Sequence, residues 1–387
     1  MNDKNKKTFK ILFSILIGIV IVVISFFINV SLLFYPQRSI MWLLVGIFQI
    51  GIIVFLVLWN KKETKKVYWV LCAPLVCIIT GIVILQYNSY VHNTPTAVNE
   101  NVYLSNYTPF TDNNYLVKLD KESNFKITGN IPILDGATAL YPVYASFVQA
   151  VYPDSDFYKS VVLCTGTRDA YENLLEGNAD IIFCAAPSTS QLEMFSDKNI
   201  KLTMIPIGKE AFVFFVNKEN PVNNLTLEDI QGIYSGNIKN WKKLNGKNQR
   251  IRAFQRLENS GSQTMLIKTM GDILVMKPKR ENVSHGMGTI INQVAVYRNF
   301  SNAIGYSFFY FSTRLAGNDN IKLLAINGIN PSRETIQDGS YPFSDNFYAI
   351  YIDKDDKNKN IESFIEWMLS DQGQSLISET GYVPIKN

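Results

Sequence analysis

Histidine and cysteine are scarce. His92 and His285, with Cys72, Cys77, Cys164 and Cys184, are all that the 387 residues contain. No C-x-x-C occurs and two distant histidines cannot complete a zinc set, so no metal site is expected. Catalytic constellations are missing too. The chain has no Walker A loop, no G-x-S-x-G elbow, no H-E-x-x-H and no visible nucleophile–base pair, so neither an enzyme nor a cofactor is expected. Strong positive charge is absent from most of the chain. Residues 1–92 hold nine Lys/Arg against Asp3 and Glu63, a net +7, whereas the whole chain is +4, which leaves about −3 for residues 93–387. A nucleic-acid partner would need a basic patch on the folded part and is not expected.

Long apolar runs are what the N-terminal part does have. Residues 11–35, 40–59 and 67–87 are free of charged side chains, and each reaches the roughly 20 residues needed to cross a bilayer. They are read as three transmembrane helices of an all-α membrane anchor over residues 1–87. No small-residue cleavage site and no cysteine near the N-terminus suggest a removed signal or a lipoprotein. Lys4, Lys6, Lys7 and Lys10 precede the first run, and Lys61, Lys62, Lys65 and Lys66 separate the second from the third. The positive-inside rule then puts the N-terminus in the cytoplasm and residues 88–387 outside. No ionisable residue lies inside a run, which favours an anchor over a transport path. A multi-pass cell-membrane protein with the lipid bilayer as partner is expected. The Lys/Asn/Ile-rich composition is compatible with a Gram-positive-type bacterium.

Residues 88–125 are rich in Asn, Tyr, Thr and Ser and read as an extracytoplasmic linker. From Lys126 short apolar runs alternate with helical stretches: Ile131–Leu134, a helix Leu140–Val151, Val161–Cys164, a helix near Asp169–Glu176, then Ile181–Cys184. This is the pattern of an α/β domain with a mainly parallel sheet. Cys164 and Cys184 end two of these runs and are read as free buried thiols rather than a bridge.

Three strand-to-helix junctions share one chemistry: Asp135-Gly136-Ala137-Thr138, Thr165-Gly166-Thr167 and Asn259-Ser260-Gly261-Ser262. Small residues admit a ligand close to the backbone, hydroxyls donate, and the first turn of each helix offers unpaired N–H groups at a positive dipole end. Arg256 adds a forked donor. Together they suggest an oxyanion cage. Thr226-Leu227-Glu228-Asp229 reads as a helix cap, Tyr306 and Phe308–Phe311 as core, and His285, in Ser284-His285-Gly286-Met287-Gly288, as part of a Gly-rich surface loop first and a ligand contact second.

These residues resemble a known family. Asp135–Pro142, Gly177–Phe183, Ile233–Trp241, Arg256–Thr264, Ala303–Tyr306 and Gly381–Pro384 are similar, in that order, to motifs of phosphate-specific periplasmic binding proteins (PstS-like), over about residues 128–387. The resemblance implies a two-lobed type II periplasmic-binding-protein fold, α/β, over residues 126–387. Lobe one would be about 126–208 and 346–387, and lobe two about 209–345. It implies that Thr138, the Ala139 amide and Thr167 hold an oxyanion from lobe one, and that Arg256, Ser260, the Gly261 amide and Ser262 hold it from lobe two. Glu258 would orient Arg256. The family has an Asp where this chain has Ala185; that carboxylate accepts the proton of a protonated phosphate, and Asp135 or Asp169 are the residues to replace it. Phosphate is the first ligand implied, delivered to an ABC-type permease and ATPase. The alternative is a cell-surface sensor or interaction protein that retains the fold without transport.

Overall fold

The structure, a computed structural model, describes residues 104–385 apart from 113, 155–157, 280–281, 297–301 and 355–356. The three apolar runs, Cys72, Cys77 and His92 lie outside the described residues. Among the described helices none is long and apolar enough to cross a membrane.

The alternating strands and helices fold into two α/β lobes, each with its own aromatic-rich core. The first lobe begins with β1 (Leu134–Gly136) and β2 (Ile181–Cys184), and β3 (Leu202–Asn217) leads out of it. The second contains β4 (Asn224–Leu225), β5 (Arg252–Ala253), β6 (Gln255–Arg256), β7 (Val283–Ser284), β8 (Ala303–Phe308), β9 (Ile321–Leu323) and β10 (Ala325–Ile326). The chain returns through β11 (Ser344–Ile352) and ends with β12 (Val383–Pro384). The main sheet runs β1-β2-β11-β3-β8-β5, with β9 and β12 also on β3. β1–β2 and β5–β8 are parallel, while β11 is antiparallel to both β2 and β3. The expected parallel sheet is therefore mixed, because one strand leaves the first lobe and another comes back beside it.

β3 is the crossing strand. Its first half pairs with β11 and its second half, rich in Phe and Val, pairs with β8. Pro206 would break a regular ladder. It is accommodated because Phe347 faces Gly208 and Tyr348 faces Pro206, a bulge that leaves Ile207 as the extra residue. Gly208 has no alternative: a Cβ there would stand 2.3 Å from the Phe347 ring.

Glu210, next along β3, is buried, and its carboxyl accepts from the Ala211 amide at 2.8 Å and the Tyr310 amide at 3.2 Å. Burial outweighs these donors and pushes its pKa from 4.5 up to about 8. The folded chain thus takes up a proton that the unfolded chain releases above about 4.5. Stability should fall as pH rises through that window and level off above about 8. Glu210→Gln should remove this slope and raise the melting temperature at pH 9 by roughly 5 °C or more, while changing little at acid pH. Thermal melts of both proteins across pH check this.

Three expectations are corrected by the fold. Val161–Cys164 is not a strand: residues Tyr158–Val161 form a helical turn, and only Val162 bridges β1, opposite Leu134. The ladder stops there because Thr165 turns away, its amide and hydroxyl both taken by Asp135. The first strand starts at Leu134 rather than Ile131. Residues 104–125, read as linker, lie against lobe one: Leu116 is buried in its core, and the Phe110 amide donates to Gln149 at 2.8 Å. Scattered single apolar residues such as Leu116 have no period, so no element is legible there.

Cys164 and Cys184 are free thiols. β1 separates them, since Leu134 pairs with Val162 on one side and Ile181 on the other. Burial pushes Cys164 up to about 11 and Cys184 higher still, so both stay protonated and unreactive. The expected cap holds: the Thr226 hydroxyl accepts from the Asp229 amide at 3.1 Å, and the Asp229 carboxylate accepts from the Thr226 amide at 3.0 Å.

Candidate functional site

The three small-residue junctions open on one cavity of about 450 Å³. Ala137 and Thr138, Thr165–Asp169, and Arg256–Glu258 with Ser260 and Gly261 all line it. Each junction starts a helix: Thr138–Leu140 running into Tyr141–Val151, then Thr167–Glu176, then Gly261–Met270. None of the three starts has a side-chain cap. Elsewhere, Thr189–Ser196, Leu227–Tyr234 and Arg333–Gln337 begin with complete capping boxes, while Ile361–Met368 and Asp371–Thr380, which do not line the cavity, also lack a side-chain cap. Uncapped N–H groups at a positive helix end seek an external acceptor, and here three sets share one cavity.

Asp135 builds the first two junctions. It is fully buried, and its Oδ1 accepts from the Gly136 and Thr165 amides at 2.8 Å each. Its Oδ2 accepts from the Thr165 hydroxyl at 2.5 Å and Asn173 Nδ2 at 2.8 Å. Gly166 then donates to the Gly136 carbonyl at 3.1 Å, which locks the two turns together. The carboxylate is consumed by this network and does not line the cavity. Asp135 is therefore a support, and the idea that it replaces the acid missing at Ala185 is corrected: no lone pair is left facing a ligand.

Arg256 is held from behind. Its amide donates to the Tyr306 hydroxyl at 2.9 Å and to Gln263 Oε1 at 3.0 Å, and Tyr306 itself donates to Gln263. Burial, eased by Arg256, raises the Tyr306 hydroxyl well above its ordinary range, so it remains a donor. The guanidinium lies at the cavity with Nε and Nη1 buried.

Two further contacts cross between the lobes. The Ser188 and Ser190 hydroxyls donate to Asn259 Oδ1 at 3.1 and 2.8 Å, while Lys268 pairs at 2.5 Å with Asp345 on the crossing strand β11. Asn259 sits at φ 62, a left-handed conformation that Asn tolerates. Gly261 meets Thr167 so closely that a Cβ would lie 2.9 Å from its hydroxyl oxygen.

A family model described as the PBP superfamily domain matches residues 133–372. The chain belongs to this superfamily. The phosphate-binding protein PstS of Staphylococcus saprophyticus is 27% identical over 259 residues, which are 65% of this chain and 79% of that protein. PstS of Staphylococcus aureus is 25% identical over 259 residues, 64% of this chain and 76% of that one. Two solved structures share the fold. One is a candidate phosphate ABC transporter substrate-binding protein from Clostridium perfringens with bound phosphate (TM-score 0.53, 24% identity, 66% of this chain and all of that one). The other is an ABC-type phosphate transport receptor from Vibrio cholerae (TM-score 0.50, 20% identity, 65% of this chain and 99% of that one).

Within this PBP-superfamily fold the residues named from sequence divide into three groups. Thr138, Thr167, Arg256, Glu258, Ser260 and Gly261 line the large cavity. Ala139 does not; it lines a small pocket of about 20 Å³ with Ala185, Thr167 and Glu210, and its carbonyl accepts from Tyr382. Ser262 is buried beside the cavity with no hydrogen-bond partner for its hydroxyl, a cost of about 1–3 kcal/mol that a bound acceptor would relieve. The Ser260 hydroxyl donates to the Leu257 carbonyl at 2.8 Å and must rotate to serve a ligand. Asp169 lines the cavity, as does His285, which favours the second of its two readings over a plain surface loop. Residues that sequence reasoning missed are Leu104, Arg168 and Met287 on the cavity wall, and Phe311, which was assigned only to the core. Gly286 and Gly288 around Met287 were the one available signal.

Proposed function

We propose that this chain is a membrane-anchored extracytoplasmic solute-binding protein that captures phosphate for an ABC-type importer. The observation that carries the proposal is the convergence of three uncapped helix starts and Arg256 on one cavity. Backbone N–H groups, the Thr138 and Thr167 hydroxyls and the guanidinium would replace the water shell of an oxyanion from both lobes. Glu258, at the rim, would orient the arginine, and Ser262 would gain the acceptor it lacks.

Capture follows from the two crossing strands. β3 and β11 let the lobes part and close, and closure makes the Ser188/Ser190–Asn259 contacts over the bound anion. The closed form would dock on a permease. The runs at 11–35, 40–59 and 67–87 would hold the protein in the same membrane, with residues 88–387 outside. The names of the staphylococcal relatives and of the Clostridium structure support phosphate as the ligand.

Isothermal titration of the full-length protein in detergent with phosphate and with sulfate tests this. Phosphate should bind and sulfate should bind at least tenfold more weakly, a difference of about 1.4 kcal/mol. Binding of neither anion would refute the proposal.

A further inference from the structure

The cavity is larger than its anion donors require. Its volume of about 450 Å³ falls within the roughly 300–1,000 Å³ that accommodates small organic ligands. An oxyanion of five heavy atoms fills only a fraction of that. Separation of the lobes does not account for the space, because they already touch through Ser188, Ser190 and Asn259 and through Thr167 against Gly261. The wall beyond the donors is of two kinds. Leu104, Met287 and Phe311 are apolar, while Asp169, in the first turn of the Thr167 helix, and Glu258, in the Arg256 turn, are acceptors; Arg168 and His285 complete the polar part of the wall.

The donors have their own implication. Helix N–H groups and a guanidinium only donate. A phosphate monoester dianion presents three accepting oxygens and no P–OH, so it asks of that end nothing but donors. Its organic part would need apolar contact for CH₂ groups and acceptors for hydroxyls, and the wall supplies both.

We propose that the site takes the phosphate monoester of a small polyol, with the phosphoryl group at the three helix starts and Arg256. The carbon chain lies against Leu104, Met287 and Phe311, and the hydroxyls donate to Asp169 and Glu258. This rests on the phosphate reading above and narrows its ligand class.

The test is titration calorimetry of the full-length protein in detergent with glycerol 3-phosphate, inorganic phosphate and glycerol. Glycerol 3-phosphate should bind about tenfold or more tightly than inorganic phosphate, with no detectable binding of glycerol. Met287→Trp, which fills the apolar wall, should weaken glycerol 3-phosphate by about tenfold more than it weakens inorganic phosphate. Equal or weaker binding of the ester by the parent protein overturns the inference, while phosphate binding in that case still upholds the proposed function. Binding of neither phosphate compound overturns both. Undiminished ester binding by Met287→Trp overturns the placement of the carbon chain.

Discussion

Replacing Arg256 with alanine should weaken phosphate binding by about 30- to 1,000-fold, or about 2–4 kcal/mol. The guanidinium puts a formal positive charge on the donor side of the cavity, beside an exposed Arg168 that is paired with Glu172 at 3.5 Å, and its Nε and Nη1 are buried, where charge-assisted hydrogen bonds gain most. Its backbone is fixed by Tyr306 and Gln263, so the loss would come from the side chain and not from a collapsed turn. Melting temperature without ligand should therefore change little. Arg256→Lys should fall between, because an ammonium keeps the charge and loses the planar fork. Calorimetric titration of the three proteins with phosphate measures the series; equal affinities would remove Arg256 from the site.

Asp135→Ala should cost stability and binding together. Four donors now converge on the carboxylate: two amides, one hydroxyl and one carboxamide. Alanine leaves the two amides and the hydroxyl without an acceptor and Asn173 with only its 3.4 Å bond to Thr165, a loss on the order of 3–5 kcal/mol. The melting temperature should drop by roughly 6–15 °C. Because the same bonds set the Thr165–Thr167 turn, phosphate affinity of the folded fraction should fall as well. Asp135→Asn keeps one accepting oxygen for the amides and should lie between. Thermal melts followed by titration below the transition separate the two effects; a stable variant with unaltered affinity would show the network to be dispensable.

How much of this was legible in the sequence depended on whether neighbours in space were neighbours in the chain. The helix starts at Thr138, Thr167 and Gly261 were readable because small residues, hydroxyls and the following helix are contiguous. The support by Asp135 was not, since its partners Thr165 and Asn173 lie 30 and 38 residues away. The α/β alternation announced the strands, yet Val161–Cys164 is as apolar as a strand and is not one: a bond to a distant carboxylate decides where the ladder ends. Leu104, Met287 and Phe311 could not be found, because apolar residues of a cavity wall and of a core have the same pattern. The Ser188/Ser190–Asn259 contacts join polar residues about 70 positions apart, and no local signal marks such a pair.

Those contacts carry a consequence for release. The turn from Arg256 to Ser262 bears lobe-two donors and also Asn259, the acceptor that ties the lobes. Occupancy and closure are then one linked equilibrium with a single coupling free energy, and linkage is reciprocal. Whatever factor the closed form gains in affinity for ligand, ligand returns as preference for the closed form. A transporter that grips the open lobes would lower affinity by that same factor, and so could empty the site without making a single contact to the anion.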